Sequence, residues 1–437
     1  MPVRPSLISP HTLHFASRIA VGVIALAVLT ACAADKPGPT GLNARVDASR
    51  GLPFTEGLAS PGWQKIARDD VALQSFIPVK AGHAYPLLSV AQYLAVQKAE
   101  AAIGSPPVQD ASNGNGIGAG GRPRLETDRG AVAGASVAVM SYLFFTTAQK
   151  QGFEDLLTAQ ENATSPGPQR AAFLAAEAIG RAVGADIVTR AIGDHFGDTY
   201  RVDNIPVGAG YWVSNTTNPF TINGGQMPGV LPWFLTSASQ FRPGAPPAFG
   251  SAAFNKALAD IRDYSDHPTT EHSFIAAFWA LGAGTPTASG FWLERAGEEI
   301  ATHGLSEREA THVYALLSTT MADATVGCWD AKLTYWLIRP WRADPGITPL
   351  ASVGKPNHPS YPSGHSCVSS SAGEVLSTFF PERRAHFEAM VAEAGLSREV
   401  SGIHYEFDVL AGRDLGIHVA KFAIDADRSG TSVLTAH

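Results

Sequence analysis

Very little of this 437-residue chain alternates between apolar and polar with the period of a strand, which leaves almost nothing from which to build a β-sheet. Charge is scarce as well: 16% of the residues are charged against 45% hydrophobic, and the formal net charge is −7. Such a composition excludes a disordered chain, and a net acidic protein has no general electrostatic reason to bind nucleic acid. Cysteine is limited to Cys32, Cys328 and Cys367, without the close pairs of a zinc site. The last two could pair in an oxidising compartment, but nothing in their spacing brings them together, and buried free thiols are the expectation. The apolar run at 19–29 is shorter than the roughly 20 residues of a bilayer span. What is left is a chain long enough for one large core or two ordinary ones.

With Arg4 and Arg18 ahead of it, the run at 19–29 reads as a targeting signal. It leads into Leu29-Thr30-Ala31-Cys32, which resembles a bacterial lipobox. That resemblance implies a lipoprotein signal peptide over residues 1–31, lipidation of Cys32, and a body anchored to a bacterial membrane in the periplasm or outside the cell. An ordinary cleaved signal is the alternative. Residues 32–90, rich in Pro, Gly and Ala, read as a tether and an irregular segment.

Beyond residue 90 helical period governs most of the chain. Helices are expected at 90–103, 131–148, 169–192, 252–264, 270–281 and 291–303, making 91–230 an N-terminal helical part and 231–437 a catalytic part. The glycines of 113–121 follow no strand and miss the dinucleotide spacing, so they read as a loop. Between His195 and Ala248 the chain turns to Pro, Gly, Asn and aromatics, among them Trp212 and Trp233. A connection this long without helices is more often functional than idle, and it is expected to wall a pocket. A long helix starts at Ser306, with Glu309 placed for a capping box, and runs to Ile338, where Arg339-Pro340 stops it. The fold class is all-α.

Three blocks carry chemistry. In KLTYWLIRP, Lys332 and Arg339 are seven apart, which on one helix puts both cations on one face amid residues that look like core. In YPSGHS, Ser363 caps a helix reaching about Phe380; Gly364 allows close approach to its unpaired amides, and His365 stands at the rim. The third block, SREVSGIHYEFD, supplies Arg398, then His404, then Asp408 four residues on, where its carboxylate can hold one ring nitrogen and leave the other free. Two like charges about 4 Å apart repel by roughly 4 kcal/mol at an effective dielectric near 20. Lys332, Arg339 and Arg398 therefore share a dry pocket cheaply only around a multiply charged oxyanion. Glu271 and Asp323 are acidic candidates for a supporting layer around the arginines.

Taken together, K-x6-RP, PSGH and SR-x5-H-x3-D resemble the superfamily that unites vanadium-dependent haloperoxidases with type 2 phosphatidic acid phosphatases and bacterial acid phosphatases. MADATVGCWDAK, with Trp329 three residues before Lys332, and SQFRPGAPP at 239–247 are similar to the haloperoxidase side, as is His358, seven residues before His365. The resemblance implies helical bundles with the anion site between helices. It implies vanadate as cofactor, its oxygens held by Lys332, Arg339, Ser363, Gly364 and Arg398, and its vanadium bonded by His404. His365 would be the acid-base residue, Lys332 would polarise bound peroxide, and His358 and Trp329 would tune the halide. The substrates would then be hydrogen peroxide and halide.

The same residues also describe an acid phosphatase that needs no cofactor. There His404, oriented by Asp408, would attack a phosphate monoester to give a phosphohistidine, and His365 would protonate the leaving oxygen. A lipoprotein that binds the anion without turnover is a third reading, disfavoured because binding alone does not require both His365 and His404.

Overall fold

Ser306 does what its spacing suggests. Its hydroxyl accepts from the Glu309 amide at 3.4 Å, and the Glu309 carboxylate accepts from the Ser306 amide at 2.8 Å. This capping box starts the longest helix of the computed structural model, which describes residues 57–103, 121–200, 205–218 and 221–435. Among the described residues there are thirteen α-helices and no strand: α1 (Ser60–Leu73), α2 (Pro78–Ile103), α3 (Gly121–Leu143), α4 (Thr147–Ala163), α5 (Pro168–Gly193), α6 (Ala252–Asp266), α7 (Thr270–Phe278), α8 (Thr287–His303), α9 (Glu307–Tyr335), α10 (Pro340–Ala343), α11 (Gly364–Phe379), α12 (Arg384–Val400) and α13 (Glu406–Arg428).

The α9 helix is buried along nearly its whole length, and α2, α8, α11 and α13 pack around it. An all-round buried helix has no water for its polar side chains, so they bond locally. The hydroxyls of Thr319 and Thr320 donate to the carbonyls of Ala315 and Leu316 at 2.6 Å, and Thr325 donates to Met321 at 2.9 Å. At its start, buried Glu307 accepts from the amides of Ala59 and Ser60 at 2.6 and 2.9 Å, satisfying the first turn of α1. The α3–α5 pair packs differently. A Cβ on Gly130 would lie 2.1 Å from the Phe173 carbonyl oxygen, and one on Gly180 would lie 2.1 Å from that of Ala131. Only hydrogen fits at these crossings.

The described residues belong to one compact unit. Two expectations fail before residue 150. Positions 60–73 and 78–90 are helix rather than irregular segment, because Pro61 and Pro78 sit in first turns, where no amide is needed, and Pro86 is carried inside α2 by tertiary packing. The helix expected over 131–148 spans 121–143, and α4 follows it behind the Thr146 cap. Cys32, the signal segment and most of the glycine-rich loop lie outside the described residues. Among those described, no helix is long and apolar enough to cross a membrane.

Between α5 and α6 the chain has only a short 3-10 turn, Met227–Gly229, among the described residues. It is pinned instead by side chains from later in the chain. Asp323 on α9 accepts from the amides of Trp233, Phe234 and Leu235 at 2.7 to 3.0 Å. Asn357 accepts from the Asn215 amide at 2.7 Å and donates to the Thr221 carbonyl at 2.8 Å. Asp323 therefore supports this connection and not the site arginines, and Glu271 lies exposed in the first turn of α7. Neither acid forms the expected layer.

Candidate active site

The two cations read onto one helix face reach the site from different elements. α9 ends at Tyr335, because Trp336 adopts the left-handed conformation (φ 51°), and Arg339 is extended before Pro340. Arg339 thus arrives from a connecting segment, while Lys332 arrives from the last turn of α9.

Both are buried, and both are held by neutral acceptors. The Lys332 ammonium donates to the carbonyls of Pro359, Ser360 and Pro362, the first two at 3.1 and 2.9 Å. Its three N–H groups are thereby committed to the turn that leads into α11. Arg339 donates through Nε to the His358 carbonyl at 3.0 Å and through Nη1 to the Ile403 carbonyl at 2.6 Å. It also meets His404 Nε2 at 3.0 Å and His358 Nδ1 at 3.1 Å. Arg398, in the last turn of α12, donates to the Ser397 hydroxyl at 2.8 Å and to the Trp279 carbonyl at 2.7 Å. Among the described residues, none of the hydrogen bonds of these three cations goes to a carboxylate.

Burial depresses the affinity of all three for their protons. Lys332 is lowered to about 8 and Arg339 to about 10, while Arg398, also facing Arg339, is lowered to about 9. At neutral pH they are still cations.

His404 stands just before α13, with Tyr405 as the helix cap. Its Nδ1 lies 2.8 Å from Asp408 Oδ2, the contact expected from their spacing. The same oxygen accepts from the Ser360 hydroxyl at 2.5 Å and from the Tyr405 amide at 3.1 Å. An arginine can only donate, so Arg339 at Nε2 and the carboxylate at Nδ1 fix one tautomer: the proton on Nδ1 and the lone pair on Nε2. Burial, then the charges of Arg339 and Lys332, hold the ring well below the usual histidine range. Asp408 is raised to about 6 by burial, opposed by its Ser360 bond and the two cations.

Ser363 caps α11, accepting from the Ser366 amide at 3.4 Å. His365, in the first turn, has Nε2 without a protein partner while its other nitrogen bonds the Trp279 carbonyl. Burial and Arg398 keep it well below its ordinary value. The His358 ring lies 5.0 Å from that of Trp329, whose Nε1 donates to the Asn223 carbonyl at 2.8 Å.

One cavity of about 270 Å³ joins these groups. Gly364, His365, Arg398, His404, His358 and Trp329 line it, whereas Lys332, Arg339, Ser363 and Asp408 stand behind that layer. The long connection contributes Asn223, so the wall expected from it is present at one position. Cys328 and Cys367 are buried and free, as expected, and their thiols lie beside each other.

Sequence reasoning missed two supports. Ser360 differs in no visible way from other serines, and Trp279 acts through its carbonyl at the end of α7, which no side-chain pattern announces.

The profile of the PAP2 superfamily matches residues 311–428, a segment holding all three blocks. A non-specific acid phosphatase of Providencia stuartii is 31% identical over 113 residues, 25% of this chain and 45% of that one, so the chain spans less than half of that relative. Among solved structures, a bacterial vanadium-dependent iodoperoxidase superposes with a TM-score of 0.66 at 22% identity, covering 84% of this chain and 95% of the other. The holo form of a bacterial vanadium-dependent chloroperoxidase gives 0.61 at 12% identity, covering 83% and 96%. These likenesses show the fold.

Proposed function

We propose that this chain, whose residues 311–428 form a PAP2-superfamily domain, is a vanadate-dependent haloperoxidase that oxidises halide with hydrogen peroxide. The carrying observation is the set of three buried cations without a carboxylate partner, gathered around a neutral His404. Asp408 offsets part of that like charge through space, an oxyanion would offset the rest, and the donors present fit vanadate: charge from Lys332, Arg339 and Arg398, the first-turn amides of α11, and a lone pair on His404 Nε2.

When bound, vanadate supplies the Lewis-acidic centre at which peroxide becomes an oxidant for halide. The protein would do the rest by preorganisation. Asp408 holds the Nδ1 proton so that Nε2 faces the ligand, and Arg339 must release Nε2 while keeping its bonds to Ile403 and His358. Arg398 meets the anion at the cavity wall. Lys332, its protons already on carbonyls, acts through its charge and by fixing the turn before α11. His365 accepts a proton at its unpartnered Nε2 and returns it. The Trp329–His358 pair supports a halide at the wall, since both rings line the cavity and lie against each other.

A second reading rests on a specific contact. The His404–Asp408 pair is also the arrangement of an oriented nucleophile, and the acid phosphatase relative supports it. His404 would then attack a phosphate monoester and His365 would protonate the leaving oxygen. The lipobox-like segment ending at Cys32 supports an exported, lipid-anchored body in either case.

The test divides anion-stripped protein in two. One half receives vanadate, peroxide, bromide and a chromogenic halogen acceptor; the other receives a chromogenic phosphate ester alone. Vanadate-dependent halogenation is expected. Ester hydrolysis inhibited by vanadate, without halogenation, would transfer the site to the phosphatase reading.

A further inference from the structure

Most of the cavity is unlike its oxyanion-binding groups. Val79 from α2, Ala280 and Ala283 from the loop after α7, Ala288 from α8, Val353, and Val368 from α11 also line it. Among the described residues no Asp or Glu lines it, and the one cation away from those groups, Lys355, is exposed at the rim. A halide, peroxide or bare phosphate has no use for such a surface.

The lip between α7 and α8 is strained at both ends. Leu281 (φ 35°) and Thr287 (φ 65°) are in left-handed conformations that branched side chains rarely adopt, and Thr287 is branched at Cβ. Strain of this kind persists where the surrounding structure over-determines it, and it concentrates at ligand sites. Thr287 also lines the cavity, fully buried, with a hydroxyl that has no partner in the protein.

Volume then limits the ligand. An apolar cavity of roughly 150 Å³ takes one benzene; about 270 Å³ accommodates a tetrahedral oxyanion and a single ring.

We propose that the cavity is a two-part site, in which the oxyanion-binding groups adjoin a subsite for an uncharged, ring-sized apolar group. This rests on the oxyanion reading above. The group has two sources with one chemistry: the aryl or compact alkyl part of a phosphate ester, or a phenol-like acceptor that is halogenated in place. Cationic groups are disfavoured, since every charged side chain in the wall is positive or titrates to positive.

Calorimetry on the full chain compares inorganic phosphate, methylphosphonate, phenylphosphonate and 2-aminoethylphosphonate, none of which turns over. Phenylphosphonate is expected to bind at least about tenfold more tightly than methylphosphonate, since in an apolar pocket even one methylene is worth that much. The aminoethyl compound should show no gain. Ala283→Trp, on the exposed part of the lip, should abolish the phenyl preference while phosphate affinity stays unchanged, and Val353→Asp should do the same if the tryptophan variant folds poorly. Equal affinity of the phenyl and methyl compounds overturns the subsite and leaves the oxyanion reading standing. A preference that survives both variants overturns its placement. Failure of phosphate itself to bind removes both readings. The source is decided by turnover: phenyl phosphate alone, or phenol with vanadate, peroxide and bromide, whichever is consumed by the wild type and slowed by Ala283→Trp.

Discussion

The α3–α5 crossing and the cation cradle both press backbone carbonyls against something that ordinary side chains cannot replace. At the crossing the partner is a glycine hydrogen: the Ala131 carbonyl faces Gly180, and the Phe173 carbonyl faces Gly130. In the cradle it is an ammonium or a guanidinium: the carbonyls of Ser360, Ile403 and Trp279 receive Lys332, Arg339 and Arg398. The first arrangement stabilises. It lets two helices approach until Val132, Val139, Phe173 and Val183 are buried, at about 1.5–3 kcal/mol for each large apolar side chain. The second is a cost. Each ion taken out of water loses several kcal/mol of solvation, and carbonyl partners without opposite charge recover only part of it. A fold that keeps the second arrangement does so for what the charges bind.

The sharpest way to break this contrast is His404→Ala. It removes no charge but deletes a buried ring and leaves an Arg339 N–H and Asp408 without that partner, so thermal unfolding should fall by several degrees, while turnover of the folded protein should fall about 10⁴-fold or more, as for other residues that act as one unit with their site. Retained turnover would remove His404 from the centre of the cradle.

Gly180→Leu is the converse. Its Cβ would start 2.1 Å from the Ala131 carbonyl oxygen, and overpacking of this kind costs about 3 kcal/mol. Thermal denaturation should register that loss, while KM and kcat of the remaining folded protein stay unchanged.

Asp408→Asn probes the boundary between the two regimes. The variant keeps the shape but loses the charge that holds the Nδ1 proton of His404, and anion affinity or turnover should drop about 10- to 100-fold. A drop limited to stability would recast Asp408 as a helix cap.

The smallest effect is a pH dependence read as the difference between wild type and Lys332→Met. Below about 8 Lys332 is protonated in folded and unfolded chains alike, so the folded state bears the full burial cost. Above that pH the folded amine gives up its proton while the unfolded one keeps it to about 10.5. The unfolded state then binds more protons, and wild-type stability should rise with pH across that window relative to the variant. Phosphate affinity should fall severalfold over the same interval, as the charge that attracts the anion disappears. Isothermal titration and melting curves at matched pH check both signs, and parallel curves for the two proteins would show that the Lys332 charge matters to neither.

Legibility tracked the range of each interaction. The Ser306–Glu309 box, the Ser363 cap and the His404–Asp408 pair depend on residues three or four apart and could be read directly. The helical character of 60–73 could not, because proline density looks the same in a loop and in first turns that tertiary packing completes. The end of α9 at Tyr335 was also hidden: Trp336 is left-handed without being glycine, held there by contacts such as the Trp212 amide on its carbonyl at 2.6 Å, 124 positions away in the chain.

By itself the sequence determined the class of the fold, through the helical period of its apolar residues, and the inventory of the site: three cations, two histidines, a capping serine and an orienting carboxylate at spacings that local geometry preserves. Only the tertiary structure decided which of them face the cavity. It placed Arg398 and His404 at the wall and Lys332 and Arg339 behind it, and it brought the Trp279 carbonyl to both Arg398 and His365. Those assignments are set by where whole helices cross, and a crossing sums contacts among residues far apart in the chain, so no spacing within a single block records it.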